Sequence, residues 1–115
     1  MINLLVDEAY AFDYLSILEV KYSNLKEEKY KKNFELCYKQ LENEFNWCLF
    51  SEIIESKEYS DLFDINNKVF HAVEKAKQDQ ILASEVDKLN YERYVCKMEL
   101  QKKWFINKEL FEKKA

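Results

Sequence analysis

The single histidine, His71, is the first side chain to consider for catalysis or metal binding. A di-iron helical bundle needs two Glu-x-x-His pairs and further carboxylates, but the residue three positions before His71 is Lys68. Glu74 follows it by three positions, and this pair could hold a metal in a dimer. A Ser-His-Asp or Cys-His pair would have to use the same histidine, and nothing in the sequence positions it. We therefore expect an ordinary surface or boundary histidine and predict no catalytic or metal-ligating residue.

Carboxylates recur at a spacing of three residues in the middle of the chain. Glu52 and Glu55 form Glu-x-x-Glu, and Glu58 and Asp61 form Glu-x-x-Asp directly after it. All-α nucleotide pyrophosphohydrolases bind Mg²⁺ through two such motifs on separate helices, whereas these two lie too close in sequence to face each other. We therefore predict a solvated helix end. A metal-dependent all-α hydrolase, with carboxylates converging at a dimer interface, is the alternative function.

The N-terminal acidic residues and the cysteines give weaker indications of a functional site. Asp7, Glu8 and Asp13 fall near the start of the first predicted helix, where the macrodipole favours negative charge. The cysteines are odd in number and form no Cys-x-x-Cys motif, so we predict buried free thiols in a reducing cytoplasm. They are Cys37, Cys48 and Cys96. A Gly-rich phosphate loop is impossible without glycine, and we predict no cofactor.

The composition indicates helices rather than sheets. The chain of 115 residues contains no glycine and no proline. Tight β-hairpin turns rely on glycine, whereas long helices need neither residue. Arg93 is the only arginine among 18 basic residues, and this bias, typical of an AT-rich genome, accounts for part of the missing glycine and proline. Hydrophobic residues make up 48% of the chain, which is enough for a core.

The charge pattern disfavours two classes of partner. The formal net charge is −4 and no face has a strong basic excess, so we predict no nucleic-acid binding. No apolar run approaches the ~20 residues of a membrane span. The N-terminal apolar run is interrupted by acidic residues and the first lysine is Lys21, so we expect no signal peptide and a cytoplasmic location.

Apolar residues spaced alternately by four and three predict long helices with coiled-coil-like seams. The predicted helices span residues 4–22, 25–55 and 67–113, and the last is either one helix or two with a break near residues 78–84. Residues 56–67, rich in Ser, Asp and Asn, are predicted to form a loop. Helices this long do not fit a compact domain with a radius of gyration of about 13 Å. We therefore predict one domain, residues 1–115, as an elongated antiparallel bundle of three to four long helices.

Two of these helices carry apolar residues on two sides, which predicts an interface. A helix with two apolar faces is either central in a bundle or shared with another chain, and a bundle of three or four helices favours sharing. The alternative, burial of both groups within one monomer, stays open. The predicted interface residues are Trp47, Phe50 and Ile54 on one helix and Cys96, Leu100, Trp104 and Phe111 on the other.

The opening segment, residues 1–10 (Met-Ile-Asn-Leu-Leu-Val-Asp-Glu-Ala-Tyr), and the Lys-, Asn- and Tyr-rich composition resemble those of small uncharacterised helical proteins from marine phages and ocean metagenomes. The resemblance implies no activity, and for a phage protein it implies the host cytoplasm. We expect a non-catalytic structural or protein-interaction module that self-associates as a homodimer, with a host protein as a further partner.

Overall fold

The computed structural model describes residue 2, residues 4–79 and residues 82–110, and in this part the chain forms five α-helices and no strand. The prediction of an all-α protein is confirmed. The prediction of three to four long helices is corrected, since the five helices contain between 8 and 22 residues. They are α1 (Glu8–Leu25), α2 (Glu28–Phe45), α3 (Trp47–Ile54), α4 (Lys57–Lys77) and α5 (Ala83–Trp104).

The long helix predicted over residues 25–55 is interrupted at Asn46, which separates α2 from α3. Asn46 has φ 56° and ψ 150°, a backbone conformation incompatible with a continuous helix. Its side-chain oxygen accepts hydrogen bonds from the backbone N–H groups of Cys48 at 2.9 Å and Leu49 at 3.2 Å. Asn46 therefore ends one helix and caps the next.

The loop predicted over residues 56–67 is wrong, because nearly all of this segment belongs to α4. Ser56 caps the helix, and its Oγ accepts a hydrogen bond from the N–H of Tyr59 at 3.2 Å. Leu62 and Ile65 are buried in the core, so packing of an apolar stripe outweighs the turn preference of the neighbouring polar residues. The segment predicted over residues 67–113 contains the end of α4 and the whole of α5, which resolves the choice in favour of a break.

Three residues perform the role that glycine usually has at helix ends. Lys26, Asn46 and Asp79 all have positive φ, between 53° and 57°. Lys26 adopts the left-handed conformation after α1, and its N–H donates to the carbonyl oxygen of Tyr22. A left-handed residue other than glycine costs free energy, so the chain accepts local strain where it lacks glycine.

The core lies where α1, α3, α4 and α5 meet, and α1 packs against α2, α4 and α5. Seven of its described residues have no exposed surface at all, namely Ala9, Phe12, Leu15, Phe50, Ile53, Leu62 and Leu100. The radius of gyration is 14.6 Å and the principal extents are 43 × 34 × 29 Å. The radius of gyration is therefore slightly larger than the value of about 13 Å for a compact domain of this size. One extent is also longer than the other two.

Candidate functional sites

A buried carboxylate, that of Asp13 on α1, lies at the centre of a polar network. Asp13 is 2% exposed. Arg93 on α5 binds it through two hydrogen bonds, from Nε to Oδ1 at 3.1 Å and from Nη2 to Oδ2 at 2.6 Å. Two parallel N–H···O bonds between a guanidinium and a carboxylate are among the strongest and most directional polar contacts in proteins. The pair fixes α5 against α1.

Three further side chains complete this network. The amide nitrogen of Asn66 on α4 donates to Asp13 Oδ1 at 2.8 Å and lies 2.6 Å from Ser16 Oγ. Ser16 Oγ in turn donates to the backbone carbonyl of Asp13 at 2.8 Å. The ammonium of Lys97 is 3.9 Å from Asp13 Oδ2. A single carboxylate therefore connects three helices.

The position of Asp13 near a helix start predicts a favourable interaction with the helix dipole, but it does not predict the partners of this carboxylate. The signal was the position of Asp13 within the buried face of α1, which also includes Ala9, Phe12 and Ser16. A carboxylate in an apolar stripe needs a cationic partner, and the only arginine of the chain is the natural candidate. Arg93 and Lys97 lie four residues apart on α5 and therefore project from the same face.

A pocket adjoins the network between α1, α4 and α5. Its volume is about 140 Å³ and it is open to solvent on one side. Arg93 and Asn66 belong to both the network and the pocket wall. No carboxylate is found among the described residues that line it. The lining residues are Ile17, Val20, Lys21, Asn66, Val69, Phe70 and Arg93.

A second buried polar side chain, Gln101, connects the two ends of the described chain. It has no exposed surface. Its Oε1 accepts a hydrogen bond from the N–H of Ala9 at 2.9 Å, and its Nε2 donates to Glu8 Oε1 at 2.9 Å and to the carbonyl oxygen of Asn107 at 2.8 Å. These bonds satisfy a free N–H at the start of α1, which is a structural role.

The predicted interface residues do not share one environment. Trp47 is 69% exposed at the start of α3, whereas Phe50 and Leu100 are completely buried within the single chain. Ile54, Cys96 and Trp104 are partly buried against the same core. Trp104 also donates from Nε1 to Glu58 Oε1 at 3.3 Å. Phe111 lies outside the described residues.

α2 differs from the other helices because none of its residues is buried. Six of its apolar side chains are nevertheless partly buried, and all of these except Tyr30 pack against the core. Tyr38 contacts the core through Phe50, with ring centroids 4.7 Å apart, and Phe45 contacts Phe12 at 5.2 Å. We call these residues the α2 stripe. They are Tyr30, Phe34, Cys37, Tyr38, Leu41 and Phe45.

The residues first considered for chemistry are dispersed. Glu52 and Glu55 are exposed, and Asp61 pairs with Lys57 at 2.8 Å. His71 is exposed and contacts the ring of Phe70, with centroids 5.4 Å apart. In the part of the chain that the structure describes, no three His, Cys, Asp or Glu side chains come together in a way that could hold a metal ion.

Burial affects the thiols and one phenol. It raises the pKa values of the Cys37 and Cys96 thiols, while Cys48 is exposed next to Trp47. Burial also raises the pKa of Tyr59, and the nearby carboxylate of Glu19 adds to this effect. The hydroxyl of Tyr59 donates to Glu19 Oε1 at 2.9 Å. This bond connects α4 to α1.

The chain matches no protein-family model, and comparisons with curated proteins and with solved structures also gave no match. Every helix in the described part of the chain is too short or too polar to span a bilayer.

Proposed function

We propose that this protein is a non-catalytic helical interaction module that self-associates through α2, with two copies related by a two-fold axis. The observation that carries the proposal is the α2 stripe. Its six apolar side chains lie on an 18-residue helix. Five of them pack against the core of their own chain, and none of the six is fully buried, so part of the stripe is left for a second copy. Covering such a stripe removes apolar surface from water, at about 25 cal/mol per Å². A second copy is the simplest partner, since two-fold homodimers are the commonest oligomers.

The charges of α2 favour an antiparallel arrangement of the two copies. Lysines predominate in the first half of the helix and glutamates near its end. Lys31 and Glu42 are eleven residues apart, about three helical turns, so both project from the same edge of α2. When two copies pack antiparallel, Lys31 of each faces Glu42 of the other. The same register places Glu35 of one copy opposite Tyr38 of the other.

Trp47 extends this surface beyond the end of α2. It is the first residue of α3, and the cap formed by Asn46 fixes the backbone that carries it. A large aromatic side chain on a rigid backbone loses little conformational entropy on binding, and tryptophan is enriched among residues that dominate binding energy. We include Trp47 in the proposed surface and assign Phe50 and Leu100 to the core. In a host cytoplasm, the same surface could also receive a host protein.

Sedimentation equilibrium tests the proposal through a charge swap. We expect a dimer for the wild-type chain at micromolar concentration. Lys31→Glu replaces two attractive contacts by two repulsive ones and should weaken the dimer about tenfold. Adding Glu42→Lys to the same chain restores both contacts, and the double variant should dimerise like the wild type. Lys68→Glu, on an exposed position of α4, is the matched control and should have no effect. A monomeric wild type would contradict the proposal. So would a double variant whose dimer is no more stable than that of Lys31→Glu alone.

A further inference from the structure

We propose that the end of the molecule where the segment before α1 meets the segment after α5 docks on the surface of an anionic bilayer without crossing it. Gln101 joins the two segments, since it bonds both the N–H of Ala9 and the carbonyl oxygen of Asn107. We call this surface the docking face. It exposes the side chains of Leu4, Leu5, Val6, Lys102, Lys103, Ile106 and Lys108. The proposal does not depend on self-association, since all of these residues belong to one chain and lie outside α2.

Two apolar side chains of the docking face protrude from the surface. Leu5 is 95% exposed and Ile106 is 97% exposed, the highest values for any large apolar residue in the described chain. Ile106 is held outward because its neighbours Phe105 and Leu110 are packed into the core. A protein partner would need a preformed hole for each protruding side chain, whereas the fluid boundary of a bilayer closes around any apolar group that enters it. Protruding aliphatic side chains therefore favour a lipid surface.

The end of α5 and the segment after it reverse the charge of the rest of the chain. Residues 102–115 contain five lysines and two glutamates, a net charge of +3, whereas the whole chain has −4, so residues 1–101 carry −7. Of the two adjoining carboxylates at the start of α1, Asp7 is buried and Glu8 accepts a hydrogen bond from Gln101. Lysines beside a surface of anionic lipids are attracted to it. The docking face thus combines the two contributions that hold a peripheral protein on a bilayer, apolar insertion and positive charge.

The same residues favour lipid over nucleic acid. A surface for single-stranded nucleic acid offers exposed aromatic rings, on which bases stack, together with cationic side chains. The exposed apolar side chains of the docking face are aliphatic, and Trp104 and Phe105 beside them are packed against the core. Residues 102–115 also contain no arginine. Lysines combined with exposed aliphatic chains therefore match an anionic bilayer better than a nucleic acid.

Co-sedimentation with lipid vesicles tests the proposal. We expect the chain to bind vesicles made of equal parts of phosphatidylserine and phosphatidylcholine. Vesicles of phosphatidylcholine alone should bind about tenfold more weakly or less, because they do not attract the lysines. Binding to the anionic vesicles should also weaken as salt is added, since salt screens exposed charges. Failure to bind the anionic vesicles, equal binding to both kinds, or tighter binding to polyuridylate at the same salt concentration would overturn the proposal.

Lysine variants test the charged part of the docking face. Replacing Lys102 and Lys103 together by glutamine should weaken binding to the anionic vesicles by about tenfold or more. Replacing Lys68 and Lys75 by glutamine, at exposed positions of α4, removes the same charge elsewhere and should have a much smaller effect. Equal losses in the two double variants would show that only the net charge matters, and would refute the docking face.

Aliphatic variants test the inserted part. Leu5→Ser and Ile106→Ser each remove one protruding side chain and should each weaken binding by about tenfold. Leu82→Ser is the matched control, since Leu82 is 69% exposed before α5, at the other end of that helix, and should leave binding unchanged. All three positions are exposed, so circular dichroism should show an unchanged fold. Full binding by both Leu5→Ser and Ile106→Ser would contradict insertion, and an equal loss in Leu82→Ser would place the contact elsewhere and overturn the proposal.

Discussion

The side of the molecule formed by α1, α4 and α5 is held together differently from the side formed by α2. The first has a buried carboxylate on α1 that is bound by side chains of α4 and α5, a completely buried glutamine and a continuous apolar core. The second contributes no buried residue and contacts the core through partly exposed aromatic rings. Polar networks with every member satisfied specify a unique arrangement. The first side therefore holds most of the buried contacts of the fold, and the second is the side for which we propose a partner.

Removing the carboxylate of Asp13 should produce the largest loss of stability. Asp13→Ala removes the buried carboxylate that binds Arg93 and lies close to the buried ammonium of Lys97, and loss of one member of a buried ion pair typically costs about 3–5 kcal/mol. Urea unfolding followed by circular dichroism measures the change. Gln40→Ala on α2 is the control, since Gln40 is exposed, lies away from the edge that carries Lys31 and Glu42, and should change stability by less than about 0.5 kcal/mol. Equal effects of the two variants would remove the distinction between the two sides.

A pair of phenylalanines compares the two sides by packing alone. Phe12 is completely buried on α1, whereas Phe34 on α2 is partly exposed. We expect Phe12→Ala to lower the free energy of unfolding by about 3–5 kcal/mol, and Phe34→Ala by about half as much. The comparison should be made at low protein concentration, where the monomer dominates. A loss for Phe34→Ala as large as that for Phe12→Ala would show that α2 contributes as much to the stability of the fold as α1.

The phenol of Tyr59 should make the fold sensitive to alkali. Its pKa is raised by burial and by the carboxylate of Glu19, so the folded chain keeps a proton that the unfolded chain releases above about pH 10. Stability should therefore fall as the pH rises through this range, by about 1.4 kcal/mol per pH unit for one group. Urea unfolding between pH 9 and 11, compared with Tyr59→Phe, measures this dependence. If Tyr59→Phe leaves the slope of stability against pH unchanged, other groups cause the loss of stability at alkaline pH.

Substitution of Asn46, at the junction of α2 and α3, should give the smallest change in the free energy of unfolding. Whether that free energy rises or falls shows whether the backbone at Asn46 is strained. Its φ of 56° with ψ of 150° lies at the edge of a region that essentially only glycine occupies, and such strain costs about 1–3 kcal/mol. Glycine is nearly as good a helix cap as asparagine. We therefore expect Asn46→Gly to raise the free energy of unfolding by about 1 kcal/mol, and Asn46→Ala to lower it because the cap is lost and the strain remains. Destabilisation by glycine would mean that the conformation carries little strain.

Local patterns in the sequence were sufficient for the helical class, but they did not separate core residues such as Phe50 and Leu100 from the predicted interface. The absence of glycine and proline and the alternating spacing of apolar residues by four and three both reflect the geometry of a single helix. Neither signal requires knowledge of how the helices pack. The break at Asn46 was missed because asparagine is tolerated both inside a helix and at positive φ. The loop predicted over residues 56–67 failed because the burial of Leu62 and Ile65 decided the structure of that segment.

The pairing of Asp13 with Arg93 could not be predicted by spacing, because 80 residues separate the two. Only the packing of α5 on α1 brings them together. The same reason explains why the pocket was not foreseen, since its walls come from three helices. Trp47 was identified as an interface residue from the sequence, and its exposure leaves that prediction open to test.

Carbodiimide cross-linking tests the antiparallel pairing of two α2 helices most directly. This reagent joins an amine and a carboxylate that are already in contact. Lys31 and Glu42 of one chain lie about 16 Å apart along the same helix, so a bond between them can form only between two copies. In a mixture of ¹⁴N- and ¹⁵N-labelled protein, the account predicts a cross-linked Lys31–Glu42 peptide of mixed isotopic composition, abolished by Glu42→Gln. The absence of this peptide, with cross-links between other residues of two chains, would contradict it.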